Sequence, residues 1–570
     1  MTDAFAARAS TRMRLALMVA ANAAARLRPG RPLAGAMPFS APDRLLAVPE
    51  QLVAGQSVRG ADIYAGRFTF AGVTVETGGR SIFAVAPPDP YFARDLHEFG
   101  WLADLAAADT TLIAAHARSL IEQWLAGGRA QPGAPETVAA CRLVNWLTHA
   151  PFLLEEADAG FRRRFFRALS TEAGKLRRDL RRMPLGLPRL ASAIALVQVG
   201  LCLPDGVRNL SAGAARLAAD LKTFVLPDGG FATRNPADLL RFAHDLVVLR
   251  TSYSARGLEA PAALQTALDR MLPMLRFLRH DDGTLALFNG MGATPPALLG
   301  AVLARDDAHG RPVLDARFSG YQRVEGGATH LIMDAGKPPP LALSAAANAG
   351  ALSFELSVGA ARIVVNCGAP SGGNEERRLA ARKTAAHSTV SVGEASSARF
   401  LASGFLSTML GPLVREGPRN VPAAREQNAA GTAFRASHDG YAARFGMIHE
   451  RGLTLDAAGA RLDGCDVLRP VRRSASADIV LAFHLHPDIG ASLIENGRGV
   501  LLAVPGGEFW LFAAEGHAAV LEESIFFAAA SGPRRSRQIL VRLGVRPGAR
   551  VVWSFARTTR PVLPPAPALS

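Results

Sequence analysis

Lysine is nearly absent from this chain. Of its 64 basic residues only four are lysines (Lys175, Lys222, Lys337 and Lys383), so the net charge of +15 rests almost wholly on arginine. Tyrosine is scarce as well: Tyr64, Tyr91, Tyr253, Tyr321 and Tyr441 are the only five in 570 residues, so any tyrosine acid or base must come from that short set. The four cysteines, Cys141, Cys202, Cys367 and Cys465, lie far apart and form no C-x-x-C pair, which reads as buried free thiols rather than a zinc finger. Beyond the N-terminus no segment is apolar for long enough to span a bilayer. The chain also has no helix-turn-helix signature and no aromatic-basic stripe, so charge alone would argue for nucleic acid, and none is expected as a partner.

The remaining 49% hydrophobic and 20% charged residues are ample for a packed core and for two or three domains. An arginine-borne positive balance favours polyanions, among them an acidic polysaccharide, while the plain alternative is coding bias and a solvated surface. At the N-terminus, Arg12 and Arg14 precede the apolar run Leu15 to Ala25, which Arg26, Arg28 and Arg31 follow. That pattern fits a secretory signal and equally a short alanine-rich amphipathic helix, the trailing arginines suiting the helix better.

The chain changes character near residue 310. From about Pro90 to Arg279 apolar residues recur at helical spacing, with breaks at Pro204-Asp-Gly206 and Pro227-Asp-Gly-Gly230, which predicts paired helices joined by short turns. After Ser319 the runs shorten and become β-type, as in Thr329–Asp334, Leu352–Val358, Arg362–Val365 and Phe509–Phe512, which predicts a sandwich. The expected organisation is a lead-in over 1–85 with a basic helix and a few strands, a helical domain over 86–310, and a β-domain over 311–570, joined at Ala308–Pro312.

One order of blocks carries a resemblance: Gly350-Ala-Leu-Ser-Phe-Glu-Leu356, Ile363-Val-Val-Asn-Cys-Gly368, Thr384-Ala-Ala-His-Ser-Thr-Val390, Ser437-His-Asp-Gly-Tyr441, His449-Glu-Arg451 and Phe483-His-Leu-His-Pro487. In this order the chain resembles the heparinase II/III family of polysaccharide lyases, from roughly Tyr91 to the C-terminus. The resemblance implies an α+β chain, an incomplete α/α toroid followed by an antiparallel β-sandwich, with a cleft between them. It also implies β-elimination on a uronic-acid-containing polymer such as a glycosaminoglycan or alginate-like chain, a place in the cell envelope or periplasm (the cytoplasm being the alternative), and no organic cofactor.

Such chemistry has definite needs. The carboxylate beside the C5 proton must be neutralised before that proton can leave, and a base and an acid must flank the sugar. Laid over the family's pattern, the helical Asn-His pair falls at Gly186-Leu-Pro-Arg-Leu190, where Arg189 is the charged candidate. The family's helical tyrosine falls within Asp228–Leu240, which has none. Some members hold a structural zinc with histidines and a carboxylate; Asn348 and Asn366 stand at two of those places here, so no zinc is expected.

The residues that remain define the expected site. Asn235 before Pro236 reads as a helix cap whose N–H groups, with Arg234 beside them, would make an anion site, or as a cap alone. His387 is the candidate acid, base or substrate donor, or else a sandwich histidine bonded to a neighbouring strand. Tyr441 is the other proton-transfer candidate, with His438 beside it as a substrate contact, although Asp439-Gly440 is also a hairpin-turn signal. Trp101, Trp124 and Trp146 fit either helix interfaces or sugar stacking. The sequence thus favours an eliminating lyase in which Arg189, Arg234, Asn235 and His438 bind substrate and His387 and Tyr441 move protons. The competing reading is a non-catalytic polysaccharide-binding or envelope-assembly protein on the same fold.

Overall fold

The computed structural model describes residues 13–19, 42–127, 136–306, 313–372, 375–401, 404–472, 477–494, 497–543 and 548–559. Most of the N-terminal apolar run and the expected join at Ala308–Pro312 lie outside those residues. The described part, residues 13–19, is helical, and its Leu15 packs against Leu401 and Leu413. No described helix is long and apolar enough to cross a membrane.

Helices fill the described chain as far as Pro296–Leu303, interrupted after helix Ser57–Tyr64 by a two-stranded hairpin of Arg67–Phe70 and Val73–Glu76. Strands dominate from Asp315–Ala316 onward, so the expected order of helices then antiparallel sheets is observed. The helices owe their ends to local chemistry. Asp89 accepts from the N–H groups of Tyr91 and Phe92 ahead of Pro90, Asp158 caps Ala159–Leu180, and Asn235 caps Pro236–Ala255. Helix Leu187–Cys202 is buried nearly all round and packs between its neighbours, as its unbroken apolar stretch requires.

The described β-region is built on two large antiparallel sheets, beside a small antiparallel pair of Arg399–Phe400 and Val414–Glu416. One runs, by strand, 423–428, 431–438, 447–456, 461–470, 550–558, 508–514, 499–504, 490–494. The other runs 519–526, 534–543, 479–485, 361–365, 354–358, 329–334, 321–326, 315–316, with 390–392 paired to 479–485. Burial tells the two apart. Strand Met447–Asp456 alternates between buried and half-buried positions, as a sheet with one wet face must, whereas Phe354–Val358 is buried at every residue. The second sheet is the middle layer: Leu331, Met333 and Val364 face the other sheet, while Ile332, Val365 and Phe526 join the core of the helices. Its helix-facing side forms the seam between the two halves of the chain.

The tryptophans divide between the two cores. Trp101, Trp124 and Trp146 surround Phe99 inside the helices, each at most 3% exposed, so they fill helix interfaces and offer no face to a sugar. Cys202 and Cys367 are buried free thiols, while Cys141 and Cys465 are only half-buried. Burial pushes the Cys141, Cys202 and Cys367 thiols up to about 12, the wrong direction for a nucleophile.

Candidate functional site at the seam

The loop that enters helix Pro236–Ala255 builds one wall of the seam. Arg234 sits there with φ +59°, a left-handed conformation that costs a residue with a Cβ about 1 kcal/mol or more. The turn aims its guanidinium into the β-region, where Nε donates to Ser319 O (2.6 Å), Nη1 to Lys337 O (2.9 Å), and Nη2 pairs with Asp334. Gly336 must be a glycine for this, since a Cβ there would lie 2.3 Å from Arg234 Nη2. Tyr321 lies under the same guanidinium, 4.7 Å from ring centroid to charge, and its hydroxyl donates to the Arg234 carbonyl. Asn289 completes the group, donating to Tyr321 Oη (2.9 Å) and Asp334 Oδ2 (3.1 Å).

From Asn289 the network reaches His387. Asn289 Oδ1 accepts from the Asn348 N–H, and the Asn348 amide lies 3.0 Å from His387 Nε2. His387 Nδ1 faces the Lys383 carbonyl at 2.8 Å, so the ring proton is on Nδ1 and Nε2 accepts from Asn348. Burial lowers the imidazole's pKa and keeps it neutral. Gly350 closes over the ring, for a Cβ there would be 2.7 Å from His387 Cδ2. A zinc does not fit these residues: the Nε2 lone pair is occupied, and the Asn366 amide is spent on Glu355 and the Ser388 N–H.

A second charged group lies on the same sheet face. Glu355, wholly buried, accepts from His280 Nε2 (2.9 Å) and Arg362 Nη2 (2.8 Å) and from the Leu287 and Asn366 N–H groups. Burial alone would raise this carboxyl, but Arg362 and His280 outweigh it and hold it at about 2. Farther along the seam, helix Glu375–Arg382 sets Arg378 over the Tyr91 ring of helix Pro90–Glu98, 3.2 Å from the centroid. Arg241 donates to Cys141 Sγ beside Glu98, whose carboxyl burial raises.

The expected site residues therefore fall into three places. His387, Arg234 and Asn235 meet at the seam, linked through Asn348, Asn289 and Asp334. Asn235 is a cap: its Oδ1 accepts from Ala237 N at 2.9 Å. Arg234, expected as a substrate neutraliser, joins the two halves here: its donors go to the Ser319, Gly320 and Lys337 carbonyls and to Asp334. Arg189 pairs bidentately with Asp220 of helix Val207–Phe224 (3.0 and 2.6 Å), outside this network.

Tyr441 and His438 lie in neither place but between the two sheets. The Tyr441 hydroxyl donates to Val390 O (2.8 Å), its side chain is 1% exposed, and burial pushes the phenol up, which places the expected proton carrier in the sandwich core. No tight hairpin forms at Asp439-Gly440 either; a short helix, Ala442–Phe445, intervenes before the next strand. His438 Nδ1 accepts the Gly440 N–H, which fixes its proton on Nε2. That proton goes to His449 Nδ1 (3.2 Å), and His449 Nε2–H in turn donates to Asp466 Oδ1 (2.7 Å). Arg451 and the Trp553 indole close on the same carboxylate. Burial lowers His438 and His449, and although it would raise Asp466, Arg451 and His449 hold that carboxyl well below the usual range. His438, expected as a substrate contact, thus lies at one end of a buried relay.

Asn289, Tyr321 and Asp334 were missed by sequence reasoning, though each left a trace: Asn289 precedes a glycine at a turn, Tyr321 is one of five tyrosines, and Asp334 ends a β-type run.

Four similarities bear on this arrangement. Residues 308–554 match the family model for the heparinase II/III-like C-terminal domain. FtsZ-localized protein C of Caulobacter vibrioides (strain NA1000 / CB15N) is 32% identical over 533 residues, covering 90% of this chain and 91% of its own. Among solved structures, heparinase III superposes with a TM-score of 0.71 at 14% identity, over 94% of this chain and 89% of that one. A mutant of the heparan sulfate lyase HepC from Pedobacter heparinus superposes with 0.61 at 14% identity, over 95% and 88%. At that identity the likeness is one of fold.

Proposed function

Because the chain belongs to the heparinase II/III-like family, we propose that it keeps the lyase fold for binding and has given up β-elimination. One observation carries this reading. Each side chain in line for proton transfer has its reactive atoms closed by internal hydrogen bonds: both nitrogens of His387, the Tyr441 hydroxyl and the Tyr321 hydroxyl. A base needs a free lone pair directed at the C5 proton, and a neutraliser needs free donors; Arg234 spends four of its five N–H groups on protein oxygens. Binding asks less. The arginine-borne charge and the Arg378–Tyr91 pair at the seam suit an acidic polysaccharide held without cleavage.

The extensive match to an FtsZ-localized protein supports a role in association with FtsZ. Two measurements test the reading. Incubation of the purified protein with a panel of uronate polymers is expected to give binding and no rise in the ultraviolet absorbance of unsaturated product; steady product formation would overturn it. A fluorescent fusion is expected to coincide with labelled FtsZ in cells, and a distribution indifferent to FtsZ would remove that association.

One observation favours elimination as a second reading. Asn348 is only half-buried, so a sugar that displaced its amide would expose His387 Nε2 as a base. Under that reading His387→Ala abolishes product, whereas Tyr441→Phe leaves the rate unchanged.

A further inference from the structure

At one end of the sandwich the last strands of the two sheets lie side by side without pairing. There the eight-stranded sheet stops at Gly490–Ile494, whose outer side pairs with no described strand, and the other sheet stops at Ala519–Phe526. An open groove of about 620 Å³ lies between them, lined by sandwich residues alone. Leu501, Ala503 and Phe509 supply its apolar lining. Arg535 and Arg537 face a single carboxylate in it, Glu523.

Open sheet edges are normally guarded by charge, proline or a bulge. The far edge of the same sheet, Ala423–Asn428, carries Arg425 and Glu426. Gly490–Ile494 reads Gly-Ala-Ser-Leu-Ile, with no charge and no proline, and its Leu493 is 48% exposed. Its backbone is already answered from outside the ladder: Arg537 Nη1 donates to the Ala491 carbonyl at 2.9 Å, the bond an incoming strand's N–H would make. Neighbouring Arg534 is spent on Asp488, while Arg535 is exposed beside the groove.

We propose that this edge takes up an extended segment of a partner protein by strand addition, about five residues long and alternating apolar with acidic side chains. The alternation follows from the register. Ser492 stands opposite Leu501 and Gly490 opposite Ala503, so one face of an added strand continues the Leu501, Ala503 and Phe509 surface. Its other face turns toward Arg535 and Arg537, where two guanidiniums against one carboxylate call for acid. A polypeptide satisfies both the bare backbone edge and the apolar face, whereas an acidic sugar satisfies only the arginines.

The test uses the full-length protein and a fluorescent Asp-Val-Asp-Val-Asp-Val peptide, followed by anisotropy. Saturable binding is expected, weakened roughly tenfold or more by Arg535→Glu and absent for the fully N-methylated peptide, which cannot form a ladder. Lys-Val-Lys-Val-Lys-Val should not bind. Circular dichroism establishes that the variant is folded, and Arg535→Gln gives a milder second variant. No saturable binding to the wild type, or equal binding of the N-methylated peptide, overturns the proposal. So does displacement of the peptide by a heparin oligosaccharide whose own affinity falls with Arg535→Glu, which would make the groove a polyanion site. A dimer in sedimentation that Leu493→Lys dissolves would assign the edge to a second copy of the chain and overturn it equally.

Discussion

The molecule buries two polar networks that share a vocabulary of histidine, aspartate, arginine and an aromatic ring. In the sandwich, Gly440, His438, His449, Asp466, Arg451 and Trp553 form a set whose side chains are all buried and whose Arg451 also donates to the Leu352 and Ser388 carbonyls. At the seam, His387, Asn348, Asn289, Asp334, Arg234 and Tyr321 form a set that crosses from one half of the chain to the other and ends at the half-buried Asn348. The sandwich network looks more like a catalytic relay than the seam network does, yet no substrate reaches it. What separates structure from chemistry is therefore access to a lone pair rather than the residue types present.

The sharpest way to break the comparison is to remove a charge from each network. Asp466→Ala leaves Arg451 and His449 buried without their acceptor and should cost about 3–5 kcal/mol, read as a lowered denaturation midpoint. Arg234→Leu should cost less, about 2–3 kcal/mol, because water can enter the seam beside Asn348. It should also separate unfolding of the helical and β-halves into two transitions in calorimetry. If the two variants were equally costly and equally cooperative, the seam would be as sealed as the sandwich.

Acidification acts on both networks. His387, His438 and His449 are held neutral by burial, and burial together with His387 lowers His484 to about 4. For these groups the unfolded chain binds more protons below its ordinary histidine pKa, so their stability is present above about 6.5 and is lost as pH falls from there toward the folded values. Glu355, depressed to about 2, contributes stability above the ordinary glutamate range that is lost between there and about 2. Melting temperature should therefore fall by several degrees from pH 7 to pH 5 and further below pH 4. The smallest expected effect is that of Tyr441→Phe, about 1 kcal/mol from the unmatched Val390 carbonyl, with no change in polysaccharide binding.

The switch from helices to sheets was legible because apolar spacing changes from helical to alternating, and the Asn235-Pro236 cap was legible because caps are local. His387 was legible as a landmark. Its partners were not: Arg234 and Asp334 are 100 residues apart, and only the middle sheet brings them together. Tyr441 attracted attention by scarcity, but strand Gly431–His438 points Phe434, Ala436 and His438 inward and delivers Tyr441 to the core. Arg189 and Arg234 illustrate the same limit, since a sequence shows a charge without showing the carboxylate or carbonyls that consume it.

The near-absence of lysine turns the seam into something that can be read chemically. Only Lys337 and Lys383 supply amines in the β-half, both side chains are exposed, and their carbonyls hold Arg234 and His387 respectively. An amine-selective label followed by peptide mass mapping thus places two of its four internal reporters beside the clasp and the histidine. Protection of that pair relative to Lys175 and Lys222 would register occupancy of the seam without any engineered probe.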